Sequence, residues 1–237
     1  MRRALSQRVF LAAASISLMV GCSQLGPSGF IREANYTGTI RVACVGDSIT
    51  YGEKIRNRGK NSYPVQLGEL LGERWDVRNF GVTGATLLKK GDMPYWKESA
   101  FHLARRFKPH VVIIMLGTND TKPQNWKRSR AFVGDYVEMI RSFAELESRP
   151  RIWICYPVPA YPGRSGIRDS IINPEVLAKI DRIAAKTGCP VIDLYEALSG
   201  KPQLFPDRIH PNAAGARLMA ETIYTALTAD TLLPTRN

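Results

Sequence analysis

The feature that most constrains this chain is an uninterrupted apolar run, Val111 to Leu116 (VVIIML), followed at once by Gly117-Thr118-Asn119-Asp120. A run without polar alternation is expected of a strand buried on both faces. Such a strand needs helices above and below it, which points to a parallel sheet inside an α/β domain. Other runs repeat the theme: Thr39–Val45 (TIRVACV), Trp75–Phe80, Arg151–Tyr156 (RIWICY) and Pro190–Leu194 read as four further strands. Between and after them, Tyr63–Leu71, Ser99–Phe107, Phe132–Glu147, Pro174–Thr187 and Ala213–Leu227 carry helical spacing. The expectation is a five-stranded, mostly parallel sheet in one α/β domain over residues 39–230, with 231–237 as a short C-terminal tail.

A chain of 237 residues suits one such domain, and 44% hydrophobic with 23% charged residues is ordinary for a globular fold. The start is different. Arg2, Arg3 and Arg8 precede an apolar and small-residue run, Val9 to Val20, too short for a stable membrane span. Residues 1–21 therefore read as a bacterial export signal. Leu18-Met19-Val20-Gly21-Cys22 resembles a lipoprotein cleavage site, with Cys22 lipidated and the chain anchored at a membrane face towards the periplasm or exterior. The alternative is soluble secretion. Residues 22–38 contain Gly, Pro and Ser and read as a tether. Without the three arginines of 1–21, the net charge of +12 becomes +9. The basic residues are scattered and no nucleic-acid motif accompanies them, so no nucleic-acid partner is expected. Cys44, Cys155 and Cys189 are an odd set, which argues against a full disulfide framework, and no CxxC pair suggests a structural metal.

Ligands of open parallel sheets bind beyond the carboxyl ends of the strands. Polar residues of this chain collect there. Gly46-Asp47-Ser48 follows the first strand, Gly81 to Gly84 the second, and Gly117 to Asp120 the third. Ser48 at a sharp turn is a candidate nucleophile, or a helix cap. Gly84 lets its backbone N–H approach a substrate oxygen, or simply turns the chain. Asn119 can aim its amide at a tetrahedral intermediate, or close an Asx turn. Asp207-Arg208-Ile209-His210-Pro211 precedes the last helix, and a three-residue spacing can bring a carboxylate against an imidazole. His102 lies in a helical pattern and His110 before the third strand, so His210 is the candidate base. Asp193, at the end of the fifth strand, is a rival carboxylate, and Asp47 and Asp120 are candidates for support.

Together these segments resemble the SGNH hydrolase superfamily, the GDSL-type esterases and lipases, from Ile40 to Leu227. Ser48, Gly84, Asn119 and His210 occur in that family's order, and its label is met as Gly46-Asp47-Ser48-Ile49. The resemblance implies a flavodoxin-like three-layer α/β/α sandwich and no metal or organic cofactor. It implies Ser48 as nucleophile, with Asp207 and His210 completing a triad. The backbone N–H groups of Ser48 and Gly84 and the side-chain amide of Asn119 would form the oxyanion hole. The GxSxG elbow of other α/β-hydrolases is absent.

The stretches Gly117–Trp126 and Phe205–Gly215 look like those of bacterial carbohydrate O-acetylesterases within the superfamily. Tyr51, Tyr95, Trp96, Trp126 and Tyr161 lie near polar groups, and Tyr51 and Trp126 are candidate platforms for a sugar ring. The expected substrate is an O-acetylated glycan or small-molecule ester. The alternatives are a lysophospholipase or acyl thioesterase, a glycan acyltransferase, and a non-catalytic glycan-binding module.

Overall fold

The computed structural model describes residues 30–163 and 166–229. The expected signal at 1–21, the lipidation site Cys22 and the tail at 231–237 lie outside the described residues. Five strands, β1 (Ile40–Gly46), β2 (Trp75–Gly81), β3 (Val111–Met115), β4 (Arg151–Cys155) and β5 (Val191–Ile192), form one sheet in the order β2-β1-β3-β4-β5. Every pairing is parallel, with Val42 opposite both Val77 and Val111. The order reverses between β1 and β3, and the loops after these two strands therefore face each other across a crevice.

The period-two alternation of the strands divides the core in two. Val42, Cys44, Ile113, Met115 and Trp153 point to one face, against α2 (Tyr63–Leu71), α6 (Leu194–Leu198) and α7 (Ala213–Thr228). Ala43, Val45, Val112, Ile114 and Ile152 point to the other, against α3 (Ser99–Arg106), α4 (Phe132–Ala144) and α5 (Leu177–Thr187). A one-turn helix, α1 (Ser48–Tyr51), follows β1 directly. Cys44, Cys155 and Cys189 are buried and packed as small apolar residues.

One expectation needs correction. The described part of the presumed tether, residues 30–38, is docked on the domain. Ile31 is buried and its N–H donates to the Leu227 carbonyl at 2.7 Å, while Glu33 accepts the Trp75 indole N–H at 2.7 Å. An apolar side chain and an acid with a fixed donor outweigh the Gly/Pro/Ser character of this stretch. The helix expected from Pro174 is present: helical residues follow the break at Asn173 and run into α5. Asn173 is extended at φ −114° and ψ 118°, as a residue before proline prefers.

Candidate active site

The site grows from the end of β1. Gly46 is needed there because a Cβ would fall 2.7 Å from the Met115 carbonyl oxygen of neighbouring β3. Asp47 then caps α1, accepting the Ile49 N–H on Oδ1 at 3.0 Å. Ser48 is the first helical residue. Its backbone N–H thus lacks an intrahelical acceptor and has no partner among the described residues. The Ser48 side chain is aimed at the loop between α6 and α7.

That loop carries the acid and the imidazole. Asp207 Oδ1 accepts the N–H groups of Ile209 at 3.1 Å and His210 at 2.7 Å, which winds the turn tightly and forces Arg208 to φ +74°. Asp207 Oδ2 lies 2.6 Å from His210 Nδ1, and His210 Nε2 lies 2.9 Å from Ser48 Oγ. Burial alone would raise the Asp207 carboxyl, but hydrogen bonds from the His210 ring and from the two backbone N–H groups hold it below the usual range. An ionised carboxylate only accepts, so Nδ1 carries the imidazole proton and Nε2 is left to accept from the serine hydroxyl. The rival Asp193 instead caps α6 through the Glu196 N–H at 2.8 Å.

Gly84 and Asn119 lie on the loops after β2 and β3. Gly84 sits at φ +83°, a conformation that favours glycine, and its N–H has no partner among the described residues. Asn119 is buried, and its Nδ2 donates to the Ala85 carbonyl at 3.1 Å, using one of its two amide hydrogens. Asp120, wholly buried, accepts the N–H groups of Leu87 at 2.9 Å and Leu88 at 2.8 Å. Burial lifts Asp120 to about 7, with the charge of Asp47 adding to the shift against those two N–H groups. Asp47 is likewise raised by burial, to about 6, opposed by the Ile49 N–H, His210, Thr118 and Lys122. Both supporting candidates thus act on the backbone: Asp47 on α1, Asp120 on the loop bearing Gly84.

Two asparagines complete the scaffold and escaped the sequence reading. Asn79 Nδ2 donates to the Thr50 carbonyl at 2.7 Å while Oδ1 accepts the Gly81 N–H at 2.9 Å, fastening α1 to the end of β2. Asn125 donates to the Asn119 carbonyl at 3.0 Å and to Asp92 at 2.9 Å. The only sequence signal for Asn79 is a polar residue two positions before a strand-ending glycine.

The aromatic platform is not built as expected. Trp126 is buried at 8% exposure, stacked edge-on against Phe132, and its indole N–H is held by Glu175 at 3.0 Å. It is a core residue, because that buried N–H has a fixed acceptor and the ring fills a gap beside α4. Tyr51 is half-buried, and the Arg58 guanidinium covers one of its faces 3.8 Å from the ring centroid. Tyr95 is buried, its hydroxyl donating to the Phe80 carbonyl at 2.6 Å. Trp96 donates to the Leu87 carbonyl and Tyr161 to that of Leu198.

Two clefts border segments that touch or follow the His210 loop. One, of about 540 Å³, is bordered by Tyr161, Arg168, Asp169, Tyr195 and Gly200, behind the His210 loop. The other, of about 440 Å³, is bordered by Lys54, Arg56, Asn57, Asn61 and Asn212. Among the described residues, no group of three His, Cys, Asp or Glu side chains is placed to hold a metal ion.

A parallel sheet that brings a serine, an imidazole and a carboxylate into line at one switch point suits an ester hydrolase, and comparison with known proteins agrees in the family. Residues 44–218 match the GDSL-like Lipase/Acylhydrolase family, and the chain belongs to it. Over 206 residues it is 40% identical to an acetylxylan esterase of Xylanibacter ruminicola, an alignment covering 79% of this chain and 43% of that protein. The chain therefore spans less than half the length of this curated relative. Among solved structures, a carbohydrate acetylesterase from Sinorhizobium meliloti shares the fold with a TM-score of 0.64 at 19% identity, covering 78% of this chain and 97% of that one. The native M. smegmatis aryl esterase does so with a TM-score of 0.62 at 21% identity, over 80% and 100% of the two chains.

Proposed function

We propose that this protein is a serine esterase that removes O-acetyl groups from a carbohydrate through an acyl-enzyme. The observation that carries the reading is the continuous line from Asp207 Oδ2 through the imidazole to Ser48 Oγ, with contacts of 2.6 and 2.9 Å. Ser48 Oγ attacks the ester carbonyl as its proton passes to His210 Nε2. Asp207 holds the tautomer and stabilises the imidazolium. The oxyanion that forms meets the backbone N–H groups of Ser48 and Gly84 and the Asn119 amide. His210 then returns the proton to the departing sugar hydroxyl, and water repeats the sequence on the acetyl-enzyme to release acetate. Acetylated carbohydrate as substrate is supported by the acetylxylan esterase relative.

The test is hydrolysis of acetyl, butyryl and octanoyl p-nitrophenyl esters by the wild type and Ser48→Ala. Turnover highest on acetyl and abolished in the variant is expected. Preference for octanoyl would overturn the acetyl specificity in favour of a lipid or thioester substrate, and equal turnover by both proteins would remove Ser48 as nucleophile. We further infer export and lipidation at Cys22, on the basic start, apolar run and Gly21-Cys22 junction of the sequence. Radiolabelled palmitate should be incorporated into the wild type and not into Cys22→Ser.

A further inference from the structure

The cleft bordered by Lys54, Arg56, Asn57, Asn61 and Asn212 carries two cations. Residues 52–68 contain Lys54, Arg56, Arg58 and Lys60 against a single acid, Glu53. Glu53 is partly occupied, accepting the Thr83 hydroxyl at 3.0 Å and lying 3.7 Å from Lys54 Nζ. Arg58 lies over the Tyr51 ring. Arg56 and Lys60 are exposed and have no carboxylate partner among the described residues.

Both segments that line this cleft are rooted in the site. The basic segment starts at Glu53, whose N–H donates to the Ser48 carbonyl at 2.9 Å. Asn212 and Ala213 complete the cleft's lining. Asn212 follows His210 by two residues, which limits their Cα separation to about 7 Å. Lys54 and Arg56 follow Ser48 by six and eight residues, so the cleft is built on the same stretch of chain as the candidate nucleophile. The Asn57 amide on the same stretch suits sugar hydroxyls.

Resting on the acetylesterase reading above, we propose that this cleft binds an anionic sugar residue, a uronic acid or a sulfated sugar, adjacent to the acetylated one. The preferred substrate is then an acidic glycan rather than a neutral one. The pairs are solvent-exposed, so each contributes modestly and is screened by salt.

The test uses three O-acetylated oligosaccharides that differ only in a side residue: glucuronate, glucose 6-sulfate or glucose. For the wild type, kcat/KM should be about three- to ten-fold higher on one or both anionic substrates, mainly through KM. The preference should disappear at about 1 M salt, where the screening length is roughly 3 Å. The Lys54→Gln/Arg56→Gln variant should lose the anionic-to-neutral ratio, with turnover of p-nitrophenyl acetate as each protein's reference. Equal kcat/KM on all three substrates would overturn the anionic subsite while leaving the acetylesterase reading intact, as would a ratio insensitive to salt or to the double substitution. Ser48-dependent hydrolysis of p-nitrophenyl acetate with none of the three oligosaccharides cleaved would overturn the glycan reading, and this proposal with it.

Discussion

The side-chain amide of Asn119 donates to the carbonyl of Ala85 at 3.1 Å, joining the end of β3 to the loop after β2 one residue from Gly84. The two proposed oxyanion donors are thus held relative to each other by a bond between their own segments. Asn119→Ala removes a donor and leaves a buried carbonyl unpartnered. It should lower kcat on p-nitrophenyl acetate by about 10²- to 10³-fold with little change in KM. Retention of wild-type kcat would place the oxyanion elsewhere.

The two carboxylates considered for the imidazole can be separated. Asp207 touches His210 Nδ1, whereas Asp193 is bonded to the Glu196 N–H. Asp207→Asn should reduce kcat by about 10³- to 10⁴-fold by disturbing the tautomer. Asp193→Ala should lower stability by about 1 kcal/mol, the loss of a helix cap, and leave kcat near wild type. Steady-state kinetics and thermal melts on both variants decide the matter; a reversed pattern would exchange their roles.

What could be read before the structure follows a physical division. Ser48, Asn119, Asp207 and His210 were legible because each is set by local chemistry: a turn off a buried strand or a three-residue winding. The sheet was legible because β3 and β4 have no polar alternation. Trp126 was not, since an aromatic in the polar stretch TKPQNW gives no periodicity, and its inward orientation depends on Glu175, 49 positions away. Nor was the docking of residues 30–38, which depends on Ile31 and Glu33 meeting partners at Leu227 and Trp75. Asn79 and Asn125 work only through backbone groups of other loops, and no one-dimensional pattern announces that.

Trp126 as a core residue makes a prediction opposite to that of a sugar platform. Trp126→Ala should destabilise the fold by about 3–5 kcal/mol, from lost burial and the cavity left beside Phe132. Trp126→Phe should keep most of that packing and leave KM for an acetylated oligosaccharide unchanged. A several-fold rise in KM in the phenylalanine variant, without a fall in Tm, would restore the platform role.

Gly81 marks the closest approach of β2 to α1. A Cβ there would lie 2.2 Å from the Tyr51 backbone nitrogen, an atom that cannot swing aside. Gly81→Ala must therefore push α1, and Ser48 with it, away from its position. The expected result is a loss of about 1–3 kcal/mol of stability together with a fall in kcat. Gly134 has open space at its Cβ position and lies within α4, so Gly134→Ala is the control and should melt at or above the wild-type temperature. Equal melting of Gly81→Ala and wild type would show that α1 can yield without cost.

Asp47 and Asp120 give the stability a defined pH dependence. In the unfolded chain both carboxyls ionise near pH 4. In the folded protein burial delays this to about 6 for Asp47 and about 7 for Asp120. Over the interval between, the folded state holds protons that the unfolded state has lost, so stability falls as pH rises, by at most about 1.4 kcal/mol per pH unit per group. The contribution is complete below pH 4 and gone above about 7. Asp207 has the opposite sign, because its folded value lies below the ordinary range and its contribution is lost only in acid. The Tm of the wild type should therefore decline between about pH 5 and pH 7.5. In Asp120→Asn, which cannot ionise, the decline should be shallower, whatever the variant's absolute stability. Parallel Tm curves for the two proteins across that range would mean that Asp120 is already ionised at pH 5, with the Leu87 and Leu88 N–H groups sufficient to hold its charge.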